Sequence, residues 1–198
     1  PALHARNIKG ADHGAKGEEE VWAEFAKDPE ALAFESQKLM AKYSGQDLLI
    51  YAEVNTEDLP REGKERDAIV KQRVNQDFFR RRVLSAYNNT CCITGLAVPT
   101  LLVASHIVPW SKDITNRLNV RNGLCLNALH DKAFDRGLMW ISEQGNVQVA
   151  HRLIKGTLGK LAEGKWLVAF DGAPLILPKG FVPDPVLLGI HRSASDRS

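Results

Sequence analysis

The sequence predicts an α+β protein. Three observations carry this: apolar residues recur at helical spacing in the first half, short β-like runs ended by turn residues follow, and Gly-containing turn pairs further on separate apolar runs. At 198 residues the chain has room for one ordinary domain or a core with a small satellite, and two large domains would not fit. The content of 44% hydrophobic and 25% charged residues is that of a globular protein. No apolar run approaches the ~20 residues of a bilayer span, so no membrane partner is expected. The opening PALHARNIKG has neither the charged start nor the apolar stretch of a secretory signal, which makes the cytoplasm the expected location. It also begins without a clear cap or strand, as a trimmed N-terminus would.

The elements follow in order. From Glu18, Val21, Trp22 and Phe25 recur at helical spacing, and Asp28 with Pro29 forms a cap and first-turn pair for a second helix through about Tyr43. Residues 1–52 therefore form an N-terminal helical region. The run EVNTEDLPREGKER, residues 53–66, is polar and aperiodic and predicts a linker. Residues 67–198 form the second unit. There Asn75 is an expected N-cap for a helix whose Phe79, Val83, Leu84 and Tyr87 share a face.

After the turn signal Tyr87, Asn88, Asn89 comes an apolar strand, Leu101 to Ala104, ending at Ser105 and His106. A polar loop leads to Asn122 and Gly123, a short strand Leu124 to Leu126, and a helix from an Asn127 cap to a Gly137 stop. LMWIS and VQVAH around Gly145 and Asn146 predict a hairpin, and WLVAF with PLILP around Asp171 and Gly172 another.

Net charge is only +2, so any nucleic-acid footprint must be local. From Lys64 to Arg82 seven basic residues face three acidic ones. Arg80, Arg81 and Arg82 on that helix, with Lys112, Arg117 and Arg121 in the later loop, are the candidate phosphate contacts. Cys91 and Cys92 are adjacent and Cys125 stands alone, an odd count without paired CxxC spacing, which predicts buried thiols.

Fifteen residues separate His106 from Asn122, and seven separate Asn122 from His130. That order, with the phrases ASHIVPW and NGLCLNALHDKAFDRGL, resembles the HNH endonucleases of the ββα-metal type, and in particular a bacterial branch of restriction-type enzymes. The resemblance spans residues 87–141 and reaches upstream through RRRVLSAYNNTCCITGL. It implies a metal-dependent endonuclease in which His106 is the general base, Asn122 fixes the loop or the base, and His130 binds the metal. Cleavage of duplex DNA, a restriction or host-defence role and a homodimer cutting both strands follow by analogy.

The chemistry is consistent with those residue types. An imidazole with an ordinary pKa of ~6.5 accepts a proton from water at neutral pH. A second histidine can hold a divalent cation, Mg²⁺ foremost with Mn²⁺ or another transition metal as alternatives, and an amide can set loop or tautomer. Many family members carry an aspartate or histidine immediately before the base; here Ser105 occupies that place, a weaker ligand for a hard cation. Asp131 can cap the helix or meet the metal, and Asp113 can reach in from the loop. Asp135 lies ~140° around the helix from His130 and is expected to hold structure. Cys91, Cys92 and Thr94 stand where some relatives have a zinc CxxC, but the pairing is broken and no structural zinc is expected. Trp110 and Phe134 read as packing residues, and His4, His13, His151 and His191 as ordinary surface or core histidines. Two other functions fit the same motif: a DNA-binding module with a degenerate nuclease fold, and a nonspecific toxin-like nuclease.

Overall fold

The computed structural model describes residues 18–156, 164–178 and 180–195; His4 and His13 lie outside them. The elements are α1 (Glu18–Phe25), α2 (Pro29–Tyr43), α3 (Leu48–Tyr51), α4 (Lys64–Ala86), β1 (Leu102–His106), β2 (Gly123–Asn127), α5 (Ala128–Asp135), β3 (Met139–Ile141), β4 (Val147–Val149), α6 (His151–Lys155), α7 (Lys165–Val168) and α8 (Pro185–Ser195). This is an α+β chain, as the sequence predicts. None of the described helices is long and apolar enough to cross a membrane.

The N-terminal helices form for the reasons their caps suggest. Asp28 accepts from the Ala31 amide at 2.8 Å and Pro29 opens α2. α2 then packs along α4, which differs from expectation in length. Instead of starting at an Asn75 cap, α4 begins at Lys64, within the expected linker, and carries Asn75 in its middle. The Asn75 side chain, fully buried, donates from Nδ2 to the Glu30 carbonyl at 3.0 Å, so its amide nitrogen finds a tertiary partner in α2 in place of a helix start.

β1 and β2 pair antiparallel with Ser105 opposite Leu124 and His106 opposite Gly123. α4 crosses beneath this hairpin, and Gly123 is what lets it approach. A Cβ there would lie 2.5 Å from Val83 Cγ2 and 3.0 Å from Phe79 Cζ. β2 runs directly into α5, whose N-cap Asn127 accepts from the His130 amide at 2.9 Å. Gly137 follows at φ +62°, the left-handed conformation that ends helices.

β3 and β4 make the hairpin expected around Gly145. The second expected hairpin is not formed. Residues 165–168 are helical, and the later apolar run contributes one bridge, Pro174 with Asn146, before continuing as irregular chain. Short apolar runs fit either conformation, and here packing of Leu167 and Leu175 into the core settles it. α8 closes the unit by packing on β3.

Candidate active site

β1 delivers two adjacent side chains to opposite faces of its strand. His106, the last residue, stacks on Phe79 of α4 with centroids 3.7 Å apart and meets Trp110 edge-on at 5.6 Å. Its Nε2–H donates to the Arg117 carbonyl at 2.9 Å, which leaves Nδ1 as the ring's acceptor. Burial holds its pKa below the ordinary histidine value, and the Arg117 carbonyl opposes this. His106 is thus a neutral imidazole in a fixed tautomer.

Asn122, fully buried, does not touch that ring. Its Oδ1 accepts from the Val108 amide at 2.8 Å, and its Nδ2 donates to the carbonyls of Val108 and Asn116, each at 3.1 Å. It therefore ties the start of the loop to residue 116, next to the carbonyl that holds His106. Arg117 completes the frame: its guanidinium donates to the Trp110 carbonyl at 2.9 Å, pairs with Glu30 at 3.1 Å and lies over the Trp110 ring.

The arginines expected on phosphates are engaged with the protein in the same way. Arg80 donates to the Leu102 carbonyl at 2.8 Å, Arg81 bonds the Tyr51 carbonyl and pairs with Asp77, and Arg82 lies over Phe78. Arg121 donates to the Val182 carbonyl at 3.1 Å. Lys112, by contrast, lines the cleft of about 230 Å³ that His106 also lines.

His130 faces away from that cleft. It is 1% exposed; Nδ1 accepts from the Asn127 amide at 2.9 Å, and Nε2–H donates to the Trp166 carbonyl at 2.8 Å. Both ring nitrogens are occupied. Around it lies a polar knot in which the Asn127 side chain also reaches Cys91 Sγ and Thr94 Oγ1. Cys91 with Thr94 and Asn127 with His130 are two i, i+3 pairs, the spacing by which zinc ribbons supply four ligands. Here a threonine and an amide take two of those places and hydrogen bonds close the knot. Burial would raise the Cys91 thiol, but the hydrogen bonds within the knot outweigh it and lower the thiol to about 6.

One residue further along α5, Asp131 does face β1. Burial raises its pKa, the Ser105 hydroxyl counters this, and Asp135 one turn on adds to it. Ser105 is 3% exposed, and its Oγ, although beside that carboxyl, has no well-aligned hydrogen-bond partner. Asp135, at the last residue of α5, reaches the His106 cleft because the helix ends there. The opposite wall is α8, with His191 stacked on Phe134 at 3.6 Å. His191 is what the sequence reading missed: an isolated histidine near the end of the chain carries no spacing signal.

Among the described residues no three His, Cys, Asp or Glu side chains form a ready metal cluster. The Ser105 hydroxyl and the Asp131 carboxyl are both hard oxygen donors, however, and suit a cation such as Mg²⁺ that keeps several waters and takes its remaining ligands from substrate.

No curated protein sequence matches the chain. Among solved structures it is similar to a modification-dependent TagI restriction endonuclease, with a TM-score of 0.43 and 19% identity over 59% of this chain and 36% of that one. The chain thus spans about a third of that protein's length. Residues 91–142, from the Cys91 knot through β3, match a family described as HNH endonuclease. This segment, about a quarter of the chain, is thus an HNH endonuclease-type domain.

Proposed function

We propose that the chain is a metal-dependent endonuclease that hydrolyses phosphodiester bonds of duplex DNA in restriction or host defence. The observation that carries this is His106, held neutral by burial and fixed by its Nε2–H bond to Arg117, in a cleft shared with Lys112. Nδ1 takes a proton from the attacking water, and the Arg117 carbonyl stabilises the imidazolium that results. Asn122 acts at one remove, by fixing the loop that supplies this carbonyl. Lys112 meets the phosphate charge.

A bound divalent cation would neutralise charge at the scissile phosphate and on the departing oxygen. Ser105 and Asp131 are the residues we assign to it. His130, expected as the ligand from sequence, would have to release the Trp166 carbonyl to serve, and we give it the role of fixing α5. The restriction role rests on the resemblance of the motif phrases, and pairing of two copies would let single sites cut both strands.

The test is digestion of plasmid DNA by the wild type and His106→Ala in Mg²⁺, Mn²⁺ or EDTA. Cutting by the wild type alone, and only with metal, is expected. Binding without cutting in either metal would overturn the enzyme reading in favour of a DNA-binding module. A smear from unrelated plasmids would replace restriction by nonspecific cleavage.

A further inference from the structure

The matched domain ends at residue 142, yet its cleft is closed by a helix from outside it. α8 supplies Ile190, His191, Ala194 and Ser195 to the wall opposite His106. His191 is held firmly there: its ring lies 2° from parallel to Phe134, and Nε2–H donates to the Phe134 carbonyl at 3.2 Å. That bond assigns the proton to Nε2. Nδ1 is then a buried lone pair with no partner among the described residues, on a side chain that lines the His106 cleft.

A phosphodiester presents acceptor oxygens, so Nδ1 can meet one only as N–H, that is, as imidazolium. The groups around the ring are Asp135 on α5, which favours the cation, and Lys112 in the loop, which opposes it. His106 on β1 faces the same cleft, and β3, which also packs on α8, brings only Met139, Trp140 and Ile141. The empty cleft favours the neutral ring because burial is the largest influence; an entering phosphate adds the negative charge that reverses the balance.

We propose that His191 is a substrate-binding residue which donates from Nδ1 to a DNA phosphate, taking up one proton as DNA enters the cleft. This rests on the nuclease reading for the identity of the polymer, while its test does not depend on cleavage.

The full chain with labelled histidine is titrated by NMR with EDTA present, alone, with a short duplex and with inorganic phosphate. The His191 signal, assigned by its loss in His191→Gln, is expected to titrate about one pH unit higher with duplex. Duplex affinity at pH 6 should fall several-fold in His191→Gln, with the difference vanishing by pH 8. His191→Lys, a permanent cation, should retain affinity and lose the pH dependence, which covers the case in which the glutamine variant folds poorly. A His191 titration that does not move while DNA binds, or one that moves with inorganic phosphate alone, overturns the proposal. Failure to cleave with an intact His191 response would overturn the nuclease reading alone.

Discussion

The imidazole of His106 lies flat on the ring of Phe79, 14° from parallel. The proposed base is therefore positioned by α4, a helix that lies before the matched domain, and the two are brought together at Gly123. In Gly123→Ala a Cβ would meet both Phe79 and Val83 at less than or about normal contact limits, so Phe79 must shift and His106 with it. We expect a loss of about 1–3 kcal/mol in denaturant unfolding. The cleavage rate of the still-folded fraction should fall as well. An unchanged rate per folded molecule would show that Phe79 does not set the base.

His130 and Asp131 are neighbours with opposite predictions. His130→Ala leaves the Trp166 carbonyl and the Asn127 amide without their partner, a cost of about 2–4 kcal/mol, while any residual cutting keeps its metal requirement. Asp131→Asn should melt near the wild-type temperature, since burial already disfavours the charged carboxyl, yet cut on the order of a hundredfold more slowly. Thermal melts alongside metal titrations of the rate separate the two. The reverse pattern would restore His130 as the ligand.

Asn122→Ala removes an amide that answers three backbone groups at once. Urea unfolding should report a loss of about 2–4 kcal/mol. Because the loop also carries the Arg117 carbonyl, cleavage should drop even at temperatures where the variant is folded. Loss of stability without loss of rate would confine Asn122 to the fold.

Acid should destabilise the chain through two partly buried histidines, His106 and His191. Burial lowers the folded-state pKa of both His106 and His191, so between that value and the unfolded ~6.5 the unfolded chain binds more protons. Stability then rises with pH and is lost as pH falls below ~6.5 towards the folded values. Melting temperature measured from pH 7.5 to 5 should decline accordingly, with a shallower slope in His191→Phe. An equal slope in that variant would rule out His191 as a contributor.

Much of the core was legible because its signals are local. The Asn127 cap, the Gly137 stop and the turn at Gly145 each act within a few residues, and β1, β2, α5 and the β3–β4 hairpin fall where they indicate. What misled was chemistry whose partner is distant in sequence. Asn75 has the chemistry of a cap, but inside a helix its amide donates to Glu30, 45 residues away. Arg80 and Arg117 read as free cations until the carbonyls of Leu102 and Trp110 are seen against them. At the site, spacing drew attention to His106 and to α5. It could not say which of two adjacent residues, His130 or Asp131, faces the strand.

Gly137 has a consequence for how the chain is made. Its left-handed backbone lets Ser195 approach so closely that an added Cβ would sit 3.1 Å from the serine's own. The two ends of that contact are translated far apart in time, so on the ribosome β1, β2 and α5 can assemble while the His106 cleft still lacks a wall. The pocket is finished only when α8 emerges and docks.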